Sequence, residues 1–196
     1  NIAMGYAAIS GVTTGSYNIA LGGSAGTALT SGGTNILIGY DAGGDLTTGS
    51  DNVAIGTYAL NAEDEHGRNV AIGHEALGTL NAGAHAYNTG VGYYAGREIT
   101  TGVYNTIVGG QAADALTTGS FNIAIGYGAL TTEDTGGRCI AIGNQALANQ
   151  NVDGNVYNVA IGYEAGKLVT TGIYNTIVGG LAGDALTEGN NNVALG

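Results

Sequence analysis

The chain is built from a 17-residue unit whose fifth position is glycine at all twelve of its occurrences. Nine of the eleven complete units have this length, and the units that begin at Asn69 and Cys139 are 19-residue variants. A short unit repeated at a fixed period is typical of a solenoid, in which each turn packs only on its neighbours. The units begin at Asn1, Asn18, Asn35, Asn52, Asn69, Asn88, Asn105, Asn122, Cys139, Asn158, Asn175 and Asn192.

Residues within the unit predict an all-β fold, a parallel β-roll (β-solenoid) of eleven 17–19-residue turns. Positions 2 and 4 carry aliphatic residues on one face of a short strand, and position 3, often Ala, faces the other way. We take position 12 as a second inward anchor and expect two short strands and two glycine-containing corners per unit. A helix would lose about 1 kcal/mol at each glycine of positions 5 and 15. The apolar residues at position 12 include Val12, Leu29, Leu46, Ile99, Leu116, Val169 and Leu186.

Three further positions predict contacts between turns. Position 8 is alanine in every complete unit, which indicates close approach of the backbone on that side. Asparagine at position 1 is expected to stack amide on amide along the axis. Position 17 is rich in aromatic residues, with Arg68 and Arg138 in the same column, and predicts either a stacked ladder or a platform for sugar rings. Its aromatic members are Tyr17, Tyr87, Tyr104, Phe121, Tyr157 and Tyr174.

A longer, 70-residue period is superimposed on the short one. Residues 18–87 align with 88–157 and then with the partial super-repeat 158–196. We interpret residues 1–196 as one repetitive segment and as an excerpt of a longer fibre.

Each complete super-repeat contains an acidic stretch and a 19-residue unit. Glu63 and Glu133 replace the apolar anchor at position 12. Because a buried carboxylate without a partner is costly, we expect these stretches to swing outward as loops, and the extra residues to protrude beside them. The candidate receptor-contact residues are Glu63, Asp64, Glu65, His66, Arg68, His85, Glu133, Asp134, Arg138, Asp153 and Asn155.

Charge and composition exclude several classes of partner. The net charge of −11 would repel phosphate backbones, so we expect no nucleic-acid partner. No apolar run approaches the roughly 20 residues of a membrane helix, so we expect no membrane insertion of this segment. Cys139 is the single cysteine, which implies no disulfide framework.

No residue pattern predicts catalysis, a metal or a cofactor. Gly90 to Gly96 imitates a phosphate-binding loop with the wrong spacing. Glu63, Asp64 and Glu65 would suit Ca²⁺, but they lack the Asp/Gly spacing of calcium-binding β-rolls, and a solvated acidic loop is the preferred interpretation. The three histidines, His66, His74 and His85, show no ligand-like spacing. We therefore expect a non-enzymatic protein with no cofactor.

The recurring N-[IV]-A-[IL]-G segment, with Ala three residues after its Gly, resembles the head repeat of trimeric autotransporter adhesins of the YadA type. Related repeats occur in bacteriophage tail-fibre proteins. This resemblance implies a left-handed parallel β-roll, three chains side by side, and aliphatic strands facing the trimer interior. The unit is longer than the adhesin repeat and lacks its regular Ser, so handedness stays open. The implied interior residues are the pairs Ile2/Met4, Ile19/Leu21, Val53/Ile55 and their equivalents.

The thin coil also favours a homotrimer, because one chain alone would bury little apolar area. Sharing an apolar face among three chains would help to offset the entropic cost of ordering the backbone, about 1–2 kcal/mol per residue. The predicted function is a structural or adhesive segment of an extracellular fibre, on a bacterial cell or a virion, that spaces or presents a surface for a host glycan or protein receptor. The alternative is an ice-binding solenoid, suggested by Thr pairs such as Thr13/Thr14 and Thr117/Thr118. Glu63 and Glu133 interrupt that array, and a thermal-hysteresis assay separates the two functions.

Overall fold

A computed structural model describes residues 1–196 as a β-solenoid without helices. The strands are β1 (Ile2–Met4), β2 (Ile19–Leu21), β3 (Ile36–Ile38), β4 (Val53–Ile55), β5 (Val70–Ile72), β6 (Thr89–Val91), β7 (Thr106–Val108), β8 (Ile123–Ile125), β9 (Ile140–Ile142), β10 (Val159–Ile161), β11 (Thr176–Val178) and β12 (Val193–Leu195). They form one parallel 12-stranded sheet in chain order, β1 to β12. The predicted all-β parallel solenoid of about eleven turns is confirmed. No helix with the length and hydrophobicity needed to cross a bilayer is present.

Consecutive turns stack in one constant register. Ile19 lies opposite Ile36, and the register survives both 19-residue units, where Val70 pairs with Thr89 and Ile140 with Val159. Of 122 backbone hydrogen bonds, 22 join strand residues to each other and 100 involve at least one residue outside the strands. The turns are therefore held together around their whole circumference and not only along the sheet.

Each turn contains one strand, so the expectation of two strands is wrong. Positions 7 and 9 both have positive φ, as in Tyr58 (56°) and Leu60 (50°). Two left-handed residues so close together cannot continue an extended strand. The segment is instead a series of turns whose N–H groups still bond to the next unit, as Leu60 N–H does to the Ala76 carbonyl at 3.0 Å.

The glycine at position 5 is required by both backbone conformation and space. From Gly5 to Gly179 this column has φ between 131° and 141°, a region that L-residues rarely adopt. A Cβ on Gly109 would lie 2.5 Å from the carbonyl oxygen of Gly126 in the next turn. Any side chain would therefore push two turns apart.

The interior is filled by positions 3, 8, 9 and 12. Position 3 is fully buried, as in Ala54, whereas its neighbours Val53 and Ile55 are half-buried and face outward. The first inward anchor is thus position 3 and not the pair at positions 2 and 4, because alternate residues of a strand point to opposite sides. The Ala column at position 8 is fully buried from Ala25 to Ala165, as its uniform size predicts.

Inside the coil, a large side chain at position 3 fills the space left by glycines at position 9. Leu37 at position 3 fills the space that a side chain on Gly26 or Gly43 would occupy, with its methyl groups 2.5 Å and 2.8 Å from the points where a Cβ would lie. Ile177 fills the same space beside Gly166 and Gly183, and Ile107 does so beside Gly96, whereas Ala113 stands at the position of the second glycine. The 70-residue period is therefore also a period of core packing.

The asparagine column bonds to backbone groups of two turns. Asn105 Nδ2 donates to the carbonyl of Gly119 in its own turn at 3.0 Å, and its Oδ1 accepts from the backbone N–H of Asn122 in the next turn at 2.9 Å. Direct amide-to-amide bonds, such as Asn35 Nδ2 to Asn18 Oδ1 at 3.0 Å, are a minor part of the column. The predicted stacking exists, but its main partners are peptide groups.

Alanine substitutions at two adjacent glycines should show whether position 5 specifically requires glycine or whether any added side chain destabilises the fold. We expect Gly109→Ala to lower the free energy of unfolding by about 2–4 kcal/mol, because it combines strain at positive φ with a backbone clash. Gly110→Ala is the matched control, since its Cβ would make an ordinary 3.5 Å contact with Tyr127. Urea denaturation followed by circular dichroism measures both, and equal effects would contradict the packing described for position 5.

Candidate functional surfaces

The outer side of the sheet is an apolar surface that we call the strand face, formed by positions 2 and 4 of all twelve strands. Position 4 is aliphatic or Met in every unit, and position 2 is Ile, Val or Thr. Most of these residues are half-buried in the middle of the sheet, and they are more exposed at its ends, where Met4 is 70% and Leu195 75% exposed. A row of half-exposed aliphatic side chains therefore runs along the entire solenoid.

No charged residue interrupts this sector of the molecule. All nineteen Asp, Glu, Lys and Arg residues lie at position 7 or later in their units, so positions 1 to 6 carry none in any turn. Tyrosines at position 6, including Tyr40 and Tyr127, border the strand face and are 54% exposed. The charge of −11 is thus confined to the other sides of the coil.

From Arg68 to Tyr174, position 17 forms a continuous stack that we call the aromatic ladder, whereas Thr34 and Asp51 separate Tyr17 from it. Tyr87 and Tyr104 have ring centroids 5.2 Å apart and an interplanar angle of 6°, and Tyr104 stacks on Phe121 at the same distance. The Arg138 guanidinium lies 4.8 Å from the Phe121 ring and 5.8 Å from that of Tyr157. The seven members are Arg68, Tyr87, Tyr104, Phe121, Arg138, Tyr157 and Tyr174.

This geometry favours the structural interpretation of the column. A sugar ring stacks on the face of an aromatic side chain, but within the ladder both faces of Tyr104 are covered by neighbours. The exposed parts of these half-exposed residues are their edges and hydroxyl groups. The ladder therefore supports the corner of the coil and offers few open ring faces.

The extra residues of the two 19-residue units form exposed tips. Gly83–His85 and Asp153–Asn155 are exposed, whereas Ala86 and Val156, which follow them, return to the core and are fully buried. The predicted protrusions therefore exist, but each is a short tip of the backbone. His85, Asp153 and Asn155, three of the predicted contact residues, lie on these tips.

The acidic stretches 60–68 and 130–138 do not swing outward. Glu63 and Glu133 are fully buried and point into the coil, so these two predicted contact residues cannot reach a receptor. Glu65, Arg68 and Arg138 are exposed, and the remaining three residues, Asp64, His66 and Asp134, are half-buried. The prediction failed because it assumed that no partner for a buried acid was present.

Glu133 is buried because its own turn and the next one supply hydrogen-bond donors. Its Oε1 accepts from the backbone N–H of Gly136 at 2.7 Å, and its Oε2 accepts from Gln150 Nε2 at 2.9 Å. Gln150 Oε1 in turn accepts from Asn158 Nδ2 at 2.6 Å. Each buried polar side-chain atom of Glu133 and Gln150 therefore has a hydrogen-bond partner, which makes an inward carboxylate tolerable.

Gln150 and Cys139 are the members of this network that sequence reasoning missed. Gln150 occupies position 12, one turn after Glu133, and two successive polar residues at an inward position are a signal of mutual bonding. Cys139 takes the place of the column asparagine, and its Sγ lies 3.0 Å from Gln150 Nε2. Burial raises the pKa of Cys139 to about 11, so the thiol is unreactive at neutral pH.

Glu63 has a different environment from its counterpart Glu133. Leu80 stands where the second super-repeat has Gln150, and His66 stands where it has Gly136. Glu63 Oε1 accepts from the backbone N–H of His66 at 3.2 Å and lies 3.5 Å from His66 Nδ1, while Glu63 Oε2 has no hydrogen-bond partner. Burial raises the pKa of Glu63 against the opposing effect of His66.

In the Thr pairs the first hydroxyl bonds to the backbone of the next turn. Thr47 Oγ1 donates to the Asp64 carbonyl at 2.9 Å, and Thr117 Oγ1 donates to the Asp134 carbonyl at 2.9 Å. The pairs also lie in bends and not in a strand. A flat water-ordering array needs free hydroxyls in regular rows, so this arrangement does not favour ice binding.

Two shallow grooves are present on the surface. The first has a volume of about 290 Å³ and lies beside Tyr58, Glu75 and Arg97. The second, of about 340 Å³, is lined by residues that include Lys167 and Asp184. Neither groove is lined by a His, Cys or Ser residue.

Comparison with protein-family models, curated proteins and solved structures finds no match to this chain. The functional interpretation therefore depends on the surfaces described above.

Stability should fall with rising pH because of the buried acid Glu133. Burial raises its pKa above the ordinary 4.5, opposed by the hydrogen bonds from Gln150 and Gly136. Between 4.5 and the raised value the folded chain holds a proton that the unfolded chain has lost, so its stability decreases as pH rises through this range. We expect Glu133→Gln to reduce that decrease and the exposed Glu188→Gln to leave it unchanged. Urea titrations from pH 4 to 8 in metal-free buffer measure it, and identical profiles for all three proteins would contradict the assignment.

Proposed function

We propose that this chain is a structural segment of an extracellular fibre and that it assembles with two further copies of itself through the strand face. The observation that carries the proposal is the charge-free sector of positions 1 to 6 in a protein of net charge −11. Selection against charge in one sector of every turn is expected where that sector is covered by another surface. The resemblance to trimeric adhesin heads supplies the three-chain, left-handed arrangement.

A second copy of the chain is the occupant that best fits the strand face. Eleven strand intervals of about 4.8 Å make this surface roughly 50 Å long. A partner that contacts it along its full length needs apolar groups at the same spacing, and another solenoid of the same sequence provides them. The absence of charge at the contact also keeps like charges from facing each other directly across it, although each chain carries −11.

The size of the surface is compatible with an oligomer once its borders are included. Twelve strands about 10 Å wide present about 500 Å², which is less than the roughly 800 Å² per partner of a stable interface. The exposed tyrosines at position 6 and the aromatic ladder flank the strand on either side in sequence and would raise this area. Total exposure does not demand a partner, since the accessible area of 7875 Å² is below the about 8,500 Å² of a globular monomer of this mass.

The oligomeric state tests the proposal directly. We expect the 19.3 kDa chain to sediment as a trimer. Ile55→Asp combined with Ile125→Asp should convert it to a monomer, because carboxylates in a buried contact lose hydration and repel each other. The matched control is Thr48→Asp with Thr118→Asp, which adds the same charges at exposed sites. A monomer at every concentration, or a charged strand face that still forms trimers, would reject the strand-face assembly. A dimer would reject the three-chain arrangement.

Within this function, the exposed tips are the proposed receptor contacts for a host glycan or protein. They break the regularity of the solenoid and carry exposed polar side chains, including His85, Asp153 and Asn155. Their position between two strands leaves the register on either side intact.

Shortening the tips should separate a receptor-binding segment from a spacer. Deleting residues 84–85 and 154–155 gives both 19-residue units the length of the other units, so the fold should persist while binding to cells or glycans falls at least about tenfold. Circular dichroism checks the fold, and a glycan array and a cell-binding assay measure the loss. Undiminished binding would reject the contact role and leave a spacer.

A further inference from the structure

Three buried side-chain atoms of this solenoid have no hydrogen-bond partner: two belong to Glu63 and His66, and the third is Asp134 Oδ1 in the second super-repeat. Glu63 is 0% exposed, and its Oε2 makes no hydrogen bond. The Nδ1 of His66, also shielded from solvent, has no hydrogen-bond partner either. A buried carboxylate oxygen left unpaired is costly, so the two unpaired atoms need a group between them.

The same place contains a set of metal ligands. Glu63, Asp64 and His66 each direct one ligand atom to a point where all three lie within 4.8 Å of one another, and no other His, Cys, Asp or Glu residues of the chain form such a group. The carboxylate of Asp64 accepts one hydrogen bond, from the backbone N–H of Glu65. Its other oxygen is available as a ligand.

The second super-repeat shows what this site looks like when protein groups satisfy the acid. There Gln150 donates to the buried Glu133, and glycine stands in place of the histidine. In the first super-repeat both replacements occur together: leucine removes the donor and histidine adds a metal-binding nitrogen. The paired change indicates that a cation takes over the role of the glutamine amide.

We propose that Glu63, Asp64 and His66 bind a divalent transition metal of the Zn²⁺ class. Two carboxylate oxygens and one imidazole nitrogen are common zinc ligands, whereas Ca²⁺ takes six to eight oxygens. At zinc bond lengths of about 2.1 Å, tetrahedral ligand atoms lie about 3.4 Å apart, so the three side chains close by up to about 1.4 Å on binding. The fourth position is open to water. This proposal departs from the expectation from sequence that the histidines bind no metal.

The bound ion would brace a turn of the solenoid next to an exposed tip. Asp64 also accepts, through its backbone carbonyl, the N–H of Thr47 in the preceding turn, and His66 lies 6.4 Å from His85 on the tip, measured between ring centroids. Fixing Asp64 and His66 on one ion therefore stabilises the loop against which this tip rests.

Calorimetric titration of the full chain with ZnCl₂ tests the site, after removal of metal with a chelator and at pH 7.5. We expect one Zn²⁺ per chain. Asp64→Asn and His66→Gly should each weaken binding at least about 100-fold, which is the upper range for loss of a group that only supports a ligand. His66→Gly copies the residue of the second super-repeat, and Asp64→Asn loses no hydrogen bond that holds the fold.

The matched control is Asp134→Asn, the equivalent change in the second super-repeat, which should alter the affinity less than about twofold. Circular dichroism of each variant confirms folding before titration. No heat of binding with Zn²⁺, or binding that survives both substitutions, would overturn the site. Tighter binding of CaCl₂ than of ZnCl₂ would overturn the assigned metal class.

Discussion

Backbone hydrogen bonds between consecutive turns in one constant register impose one condition on the rest of this solenoid: every residue of a standard turn has its counterpart one turn away, at about 4.8 Å. A column is stable only if its residues tolerate their own kind as neighbours. Amides bond in the asparagine column, rings stack in the aromatic ladder, and methyl groups fit in the alanine column. Carboxylates would repel each other in such a column, and none of the fifteen acids has another acid at the same position of the next turn.

The fold was predictable from sequence because columns are visible as a period. Glycine at position 5 and alanine at position 8 indicate where turns approach each other. In the structure, the carbonyl oxygen of the next turn lies where a Cβ at position 5 would be, from Gly5 to Gly179. The apolar pattern did not reveal the one-strand turn, because the left-handed conformation at position 7 is adopted by residues such as Tyr58 that give no signal of it. Position 9 does carry a signal, since five turns have glycine there, but in other turns Leu60 and its equivalents mask it. Their conformation is imposed by the stacked neighbours.

The candidate sites were less predictable because they depend on pairs of residues in different turns. An acid at position 12 was expected to face outward as an isolated residue, but its orientation is decided by Gln150 in one super-repeat and by the surroundings of His66 in the other. The exposed tips were predictable from unit length alone. The strand face was predictable in part. Its aliphatic residues were evident from the sequence, but its absence of charge becomes meaningful only once positions 2 and 4 are known to face outward.

The buried pair Glu133 and Gln150 has a consequence for how such a chain reaches a single structure. Nearly identical turns can in principle stack one step out of phase at little loss of backbone bonding, and this is a general hazard for repetitive β-chains. A shift by one turn would leave the inward carboxylate of Glu133 facing an aliphatic side chain instead of the Gln150 amide. This mismatch would destabilise the shifted arrangement. The pair Glu133 and Gln150 therefore favours the one stacking order in which both residues are hydrogen-bonded.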